Sequence, residues 1–360
     1  MNPRRAAIAA ALVSALAVVG VVVALSTNRA AVVPVVHTKL LAAADAPAAP
    51  ALGGISAFDN TPPLTVASLR GRVVLVDFWT YTCINCRRTF PFLRALQKAY
   101  PELTVLGVHS PEFGFEKSHA NVARAVRELN VTWPVAEDPE MVTWRAFSNQ
   151  YWPADYLIDR NGRVRYFHAG EGGDDEVEQA VRDLLDEGGR APVARIGDVA
   201  AAGDPGDATS DLTPETYFGT QRGAAFVAGG TVVPAGRTVQ RHDGPQGRDT
   251  LALQGTFTGG EEYLELGTGA SVTQRFHARD VYATSSPGAG AVELEVMLDG
   301  QPVPPDRRGS SLTVVGGRTV ARLATQDLLH LLTGVTVEDG TLTITARSAG
   351  ARFFTLTYGA

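Results

Sequence analysis

The chain has 360 residues, a formal net charge of −6 and 45% apolar residues. That length exceeds one ordinary domain and predicts about two, each with enough apolar sequence to build a core. No basic run is longer than Arg87-Arg88 or Arg307-Arg308, which argues against nucleic acid as a partner.

Two arginines, Arg4 and Arg5, precede an uncharged apolar run, Ala6–Leu25. As a helix this run spans roughly 30 Å, the thickness of a bilayer core. The flanking charge favours a cytoplasmic N-terminus. We therefore expect a single-pass signal-anchor within residues 1–28 and extracytoplasmic domains on the cell membrane. A cleaved signal peptide is the alternative and would give a secreted protein at the same address. Its apolar region is usually shorter, and no clean small-x-small site follows Leu25 before Arg29. Residues 29–52, rich in Ala, Pro and Val, read as a linker that lifts the first domain off the membrane.

Residues 53–190 alternate strand and helix. Val73–Phe78 and Leu103–Val108 are continuous apolar runs suited to strands buried on both faces. Helical spacing follows the cysteines through Phe92, Leu93, Leu96 and Tyr100. It returns over Glu116–Asn130 and again over Glu140–Tyr151. Asp155–Ile158 and Arg163–Phe167 read as strands joined at the turn Arg160-Asn161-Gly162. A last helix covers Asp174–Leu185. The order β-α-β-α-α-β-β-α is that of a thioredoxin-like α/β fold with an inserted helix.

The chain has two cysteines, Cys83 and Cys86, three positions apart. A disulfide closing so small a loop stabilises a fold by only about 2 kcal/mol, so the pair reads as reactive rather than structural. At a helix start, unpaired N–H groups and the helix dipole favour a thiolate, which makes Cys83 the expected nucleophile. Cys86 lies on the same helical face and is placed to resolve a mixed disulfide. Arg87 is a candidate helper on the first turn. Ile84 and Asn85, between the cysteines, are candidates for the substrate groove.

The stretch Val76–Cys86, VDFWTYTCINC, resembles the thioredoxin motif of a buried strand followed by Cys-x-x-Cys. Gly107–Lys117 (GVHSPEFGFEK), Thr143–Asp159 (TWRAFSNQYWPADYLID) and Gly170–Gly172 are similar to the DipZ-like branch of the TlpA/thioredoxin family, from about residue 55 to 190. The resemblance implies a thiol–disulfide oxidoreductase, mostly a reductase of protein disulfides, fed by a CcdA/DsbD-like membrane electron donor. It implies that Asp77, six positions before Cys83, takes the proton when Cys86 attacks. It also implies that Pro153 is the cis-proline facing the cysteines and that Trp152 offers its backbone to an extended substrate. Trp79 and Trp152 are candidates for the groove, with ordinary packing as the plain alternative. Glu112 and Glu116, after the strand Leu103–Val108, are candidates for the surroundings of the site. Solvated acids at a helix start are the alternative there, and a satisfied loop histidine is the plain reading of His109. No cofactor is implied beyond a redox-active disulfide Cys83–Cys86, and no metal. A copper carrier would space its cysteines more widely. A thiol peroxidase of the AhpC/TSA type is the nearest alternative: Thr80 fits its motif, but Val76 stands where its proline belongs.

Residues 191–211 are dense in Ala, Gly, Asp and Pro and read as a second linker. In residues 212–360 strands follow strands. Val292, Leu294, Val296 and Leu298 alternate with Glu293, Glu295 and Met297, and Phe354, Leu356 and Tyr358 alternate with Phe353, Thr355 and Thr357. Turns such as Asp299-Gly300 and Asp339-Gly340 separate the strands. The pattern predicts an all-β jelly-roll sandwich. Leu212–Gly219 (LTPETYFG) and the closing FFTLTYG resemble the carbohydrate-binding-module-like domain of DipZ-like proteins, and that resemblance implies a carbohydrate or cell-wall ligand. All four tryptophans, however, precede residue 153, so Tyr263 and Tyr282 are the remaining stacking candidates. A non-enzymatic envelope-binding protein acting through this domain is a further alternative.

Overall fold

The computed structural model describes residues 39–187, 195–196, 211–223, 233–244 and 247–359. The expected membrane span and most of the linker 191–211 lie outside them. Among the described residues no helix is long and apolar enough to cross a membrane.

The first domain is a six-stranded sheet in the order β1-β4-β3-β2-β5-β6. These strands are β1 (Ala57–Asp59), β2 (Val73–Trp79), β3 (Leu103–His109), β4 (Val135–Glu137), β5 (Ala154–Ile158) and β6 (Val164–Ala169). β2, β3 and β4 run parallel; β1, β5 and β6 are antiparallel to their neighbours. β2 and β3 are buried at every residue, as their unbroken apolar runs require of strands covered on both faces. Leu75 and Trp79 face α1 (Ile84–Ala99), α2 (His119–Glu128) and α4 (Asp174–Asp186). Val74, Val76 and Phe78 face the other layer, where Trp144 of α3 (Val142–Ala146) and Phe147 pack. Phe78 sits edge-on to Trp144, Phe147 and Tyr156 at centroid distances of 5.7, 5.3 and 5.6 Å.

Three expectations change. Residues 39–52 are not a free tether. They run along β6: Leu41 N donates to Arg165 O, Ala49 N to Gly162 O, and the Arg163 and Arg165 guanidiniums donate to Ala46 O and Leu41 O. The backbone hydrogen bonds of an edge strand are satisfied in this way. The helix expected over Glu116–Asn130 breaks at Ser118, because residues Gly114–Lys117 form a 3₁₀ turn that points Glu116 inward. The helix expected over Glu140–Tyr151 shrinks to one turn between Met141 (φ 52°) and Ser148 (φ 53°). Asp138 caps that turn, accepting from Val142 N and Trp144 N at 2.7 and 2.8 Å.

The second domain is all β. Ten strands share one hydrogen-bonded path: β15 (Leu312–Val315), β16 (Arg318–Leu323), β13 (Val292–Leu298), β18 (Glu338–Ala346), β11 (Ser271–Ala278), β9 (Leu251–Gly259), β10 (Leu264–Leu266), β19 (Ala351–Gly359), β12 (Asp280–Pro287) and β17 (Asp327–Leu332); off this path β7 (Thr216–Tyr217) pairs with β19, β8 (Thr238–His242) with β9 and β14 (Gln301–Pro302) with β13. Their inward residues close on one core that includes Leu253, Phe257, Val296, Ile344 and Phe353. β13 alternates as its sequence does. β19 does not. A bulge against β12 breaks the register next to Thr355, so Phe353 rather than Phe354 points into the core. Phe354 instead packs on Phe113 and Phe115 of the first domain, at centroid distances of 5.1 and 4.8 Å.

Candidate active site

The site forms where the buried strand β2 ends and α1 begins. Cys83 is the N-cap of α1, with extended backbone, and its Sγ accepts the Cys86 N–H at 3.1 Å. Both thiols are free. Cys83 is partly exposed and Cys86 is fully buried. Burial pushes the Cys86 thiol well up, and its contact with Cys83 and the nearby Asp77 carboxyl add to that rise. Cys86 therefore keeps its proton until a base takes it, whereas Cys83 meets solvent first. Ile84 and Asn85 lie partly exposed on the first turn.

Asp77 sits two residues before the end of β2 and is 1% exposed, with both carboxylate oxygens buried and unpartnered. Desolvation, and then Asp155, raise its affinity for a proton. The Trp152–Pro153 bond is cis and leads into β5 beside β2. Trp152 is partly buried, donates Nε1–H to Ser110 O at 2.9 Å, and lies 4.1 Å from the Trp144 ring. Tyr151 beside it is exposed.

Trp79 is not in the groove. It is fully buried, packed edge-on to Phe90 and His109. His109 is also buried; its Nε2 lies 3.3 Å from Thr80 Oγ1 and its ring stacks on Tyr81. Burial pushes the His109 imidazole down to about 3, so it is neutral. Glu116 is neither solvated nor beside the thiols. It is buried beneath the cysteine loop. Its Oε1 accepts from Thr82 Oγ1 (2.6 Å) and Thr82 N (3.3 Å), and its Oε2 accepts from Glu112 N (2.7 Å) and Phe113 N (3.0 Å). Spacing alone hides this clamp, because an acid at a helix start reads as solvated.

Glu112 and Arg87 serve the domain interface. Glu112 accepts from Tyr217 Oη and Arg222 at 2.9 and 2.6 Å. Arg87 donates to Tyr81 O at 2.6 Å and to Asp327 of β17 at 2.5 Å. Arg88 turns to Glu171 and lies 5.6 Å from the centre of the Tyr282 ring. The all-β domain thus adjoins the first turn of α1. Tyr282 is buried and stacked on His330, and the Tyr263 ring is covered by Arg352 and Phe354, so neither is a free stacking platform. Truncating Phe354 to Ala removes a ring shared by both domains. We expect it to cost about 3 kcal/mol and to separate the unfolding of the two domains in a calorimetric scan. A possible ligand set of Asp59, His119 and Glu137 brings one atom each within 4.8 Å on β1, α2 and β4. It is closed by a 2.7 Å contact between His119 and Glu137 and shares no residue with the cysteine loop.

A partly exposed cysteine at a helix N-cap, a buried cysteine three residues on, a buried acid near it and a cis-proline ahead of the next strand form an arrangement suited to dithiol exchange on a thioredoxin fold. Residues 52–167 match the family described as AhpC/TSA, and residues 213–359 match a domain described as thioredoxin-like C-terminal. The chain is 35% identical over 320 residues to protein DipZ of Mycobacterium bovis, covering 86% of this chain and 43% of that protein. It is 28% identical to the thiol-disulfide oxidoreductase YkuV of Bacillus subtilis, over 38% of this chain and 94% of YkuV. A putative thiol:disulfide interchange protein DsbE from Chlorobium tepidum aligns over 39% of this chain and 96% of its own, at 26% identity and a TM-score of 0.35. The chain is thus similar to DipZ across both domains, a dithiol domain of the thioredoxin type followed by the C-terminal all-β domain. It spans 43% of the length of the DipZ relatives it matches.

Proposed function

We propose that this chain reduces protein disulfides in the cell envelope. The Cys83 thiolate attacks one client sulfur, and the other departs as a thiolate. Cys86 passes its proton to Asp77 and attacks Cys83 Sγ. The client leaves as a second thiolate and the Cys83–Cys86 disulfide forms, so two electrons move to the client. Tyr151, which is exposed, and Trp152, which is partly exposed, precede Pro153 and line the surface on which an extended client would lie.

The reductive direction rests on one observation. Both arginines of the first turn are engaged elsewhere, Arg87 with Tyr81 O and Asp327 and Arg88 with Glu171. A strong oxidant stabilises its reduced form with extra partners for the thiolate; here the Cys83 sulfur accepts from Cys86 N. The resulting disulfide would be reset by a CcdA-like or DsbD-like membrane dithiol carrier. The apolar run 6–25 supports a membrane tether with the domains outside the cytoplasm, and the all-β domain supports a cell-wall or carbohydrate ligand as a second attachment.

The match to the AhpC/TSA family favours a second reading, peroxide reduction at Cys83. Against it, the Thr80 hydroxyl is held by His109, and both neighbouring arginines are committed. Insulin reduction coupled to dithiothreitol separates the two. The reductase reading expects wild-type turnover, loss of turnover in Cys83→Ser, and peroxide consumption slower than thiol exchange. Peroxide turnover that outpaces insulin reduction would establish the second reading.

A further inference from the structure

The fate of the Cys86 proton does not end at Asp77. In the antiparallel pair of β2 and β5, Asp77 stands directly opposite Asp155, and in the pair of β5 and β6, Asp155 stands opposite His168. Residues opposite one another in antiparallel strands share a face, with Cβ atoms about 4.5–5.5 Å apart. This face is the one that carries Cys86: Leu75, Leu157 and Tyr166, two positions from each member along their strands, pack in the same cluster as Cys86. A row of titratable groups therefore crosses three strands from the buried thiol to the outermost strand of the sheet.

The row is unusual in its surroundings. Asp155 is 7% exposed and its Oδ1 is buried without a partner, as are both oxygens of Asp77. Among the described residues no cation pairs with either carboxyl, and the β3 residue next to Asp77 is Gly107, which has no side chain. Two buried carboxylates this close do not both ionise near neutrality, so they hold a proton between them. Burial, and then the Asp174 carboxyl, push Asp155 up to about 7. The groups facing the pair are Cys86 from α1, Tyr166 and His168 from β6, and Asp174 from the start of α4, with Glu176 beyond it. His168 and Asp174 are both partly exposed, and His168 Nε2 is itself buried and unpartnered.

We propose that Asp155 shares the Cys86 proton with Asp77 and passes it to the edge of the sheet, where His168 and Asp174 meet solvent. The proposal rests on the thiol-exchange reading above and adds a positioning residue that acts through Asp77. When Cys86 attacks Cys83 Sγ, its proton goes to the Asp77 carboxylate. The proton then moves to Asp155 and out, so Asp77 is again a base for the next turnover. No electrons move along the row, and one proton leaves for each disulfide formed on the enzyme.

The two half-steps can be timed separately on the full chain by stopped-flow reaction with a chromogenic aromatic disulfide. Cys83 attack releases one chromophore and Cys86 resolution releases the second. Asp155→Asn keeps the shape and removes the shared charge. Expected is an unchanged first step, a second step slower by about tenfold at neutral pH, and a pH break of that step moved to lower pH, because Asp77 loses a like-charged neighbour. His168→Gln, at the partly exposed end, should slow only the second step by a few-fold.

Folding supplies a second readout that does not need activity. Both carboxyls hold their protons more tightly when folded than a free carboxyl, which ionises near 4. The folded state thus binds more protons between about pH 4 and pH 7, and the pair's contribution to stability is full below that window and lost as pH rises through it. Asp155→Asn should flatten this fall and raise the melting temperature above pH 7. A second step with wild-type rate and pH profile in Asp155→Asn, or equal slowing of both steps, overturns the proposal. A wild-type chain in which neither step occurs overturns the thiol-exchange reading instead.

Discussion

Cys86→Ser is expected to stop the reaction at its midpoint. Cys83 still attacks, since it is the partly exposed thiol at the N-cap of α1. The resolving sulfur is gone, so the mixed disulfide persists and client proteins run as a covalent adduct that dithiothreitol releases. Turnover on insulin should fall below about 1% of wild type in this variant and in Cys83→Ser. The two variants differ in trapping: Cys83→Ser captures nothing, because Cys86 is fully buried and its thiol is held protonated. Adduct formation by Cys83→Ser but not by Cys86→Ser would reverse the assignment of nucleophile and resolving thiol.

Glu116→Ala is expected to have the largest effect on stability of any change outside the cysteines. The carboxylate takes four donors from two loops, Thr82 N and Oγ1 on one side and Glu112 N and Phe113 N on the other. Removing it leaves these donors without their acceptor in a buried place. At about 1–3 kcal/mol for each group left unsatisfied, less what water entering the cavity restores, the expected loss is about 3–5 kcal/mol. Thr82 immediately precedes Cys83, so the N-cap loop loosens as well, and the rate of Cys83 attack should fall by about tenfold. Glu116→Gln keeps one acceptor oxygen and turns an NH₂ toward the remaining N–H groups, so its loss should be intermediate. Chemical denaturation of the three proteins measures the series. Equal stability of Glu116→Ala and wild type would mean that the clamp contributes nothing.

Much of this was legible in the sequence because it depends on local spacing. Cys83 and Cys86 sit three apart after an apolar run long enough to be a buried strand, and the helix begins at Ile84, one residue after the N-cap cysteine. Alternation marks strands such as β13, but β12 is buried along nearly its whole length, and at the bulge in β19 the pattern puts Phe354 on the wrong face. Sequence leaves Trp79 open between groove and packing for a related reason: a strand buried on both faces carries no alternation to show which side opens to a client. The roles of Glu116, Glu112 and Arg87 depend on where distant loops meet. Glu112 and Arg87 find partners more than 100 positions away, at Tyr217, Arg222 and Asp327. Asp155 was visible only as a strand residue. Its importance comes from antiparallel register, which places it opposite Asp77 across 78 positions of sequence.

The reduction potential of the Cys83/Cys86 pair, measured by equilibration of the whole chain with defined dithiothreitol or glutathione redox buffers, tests the central claim most directly. With the Cys83 sulfur accepting a hydrogen bond from Cys86 N and the neighbouring arginines held by Tyr81, Asp327 and Glu171, the reduced form gains little extra stabilisation. The account predicts a potential below about −200 mV, in the range of reducing members of this chemistry. A value near about −120 mV, that of a strong disulfide donor, would contradict it.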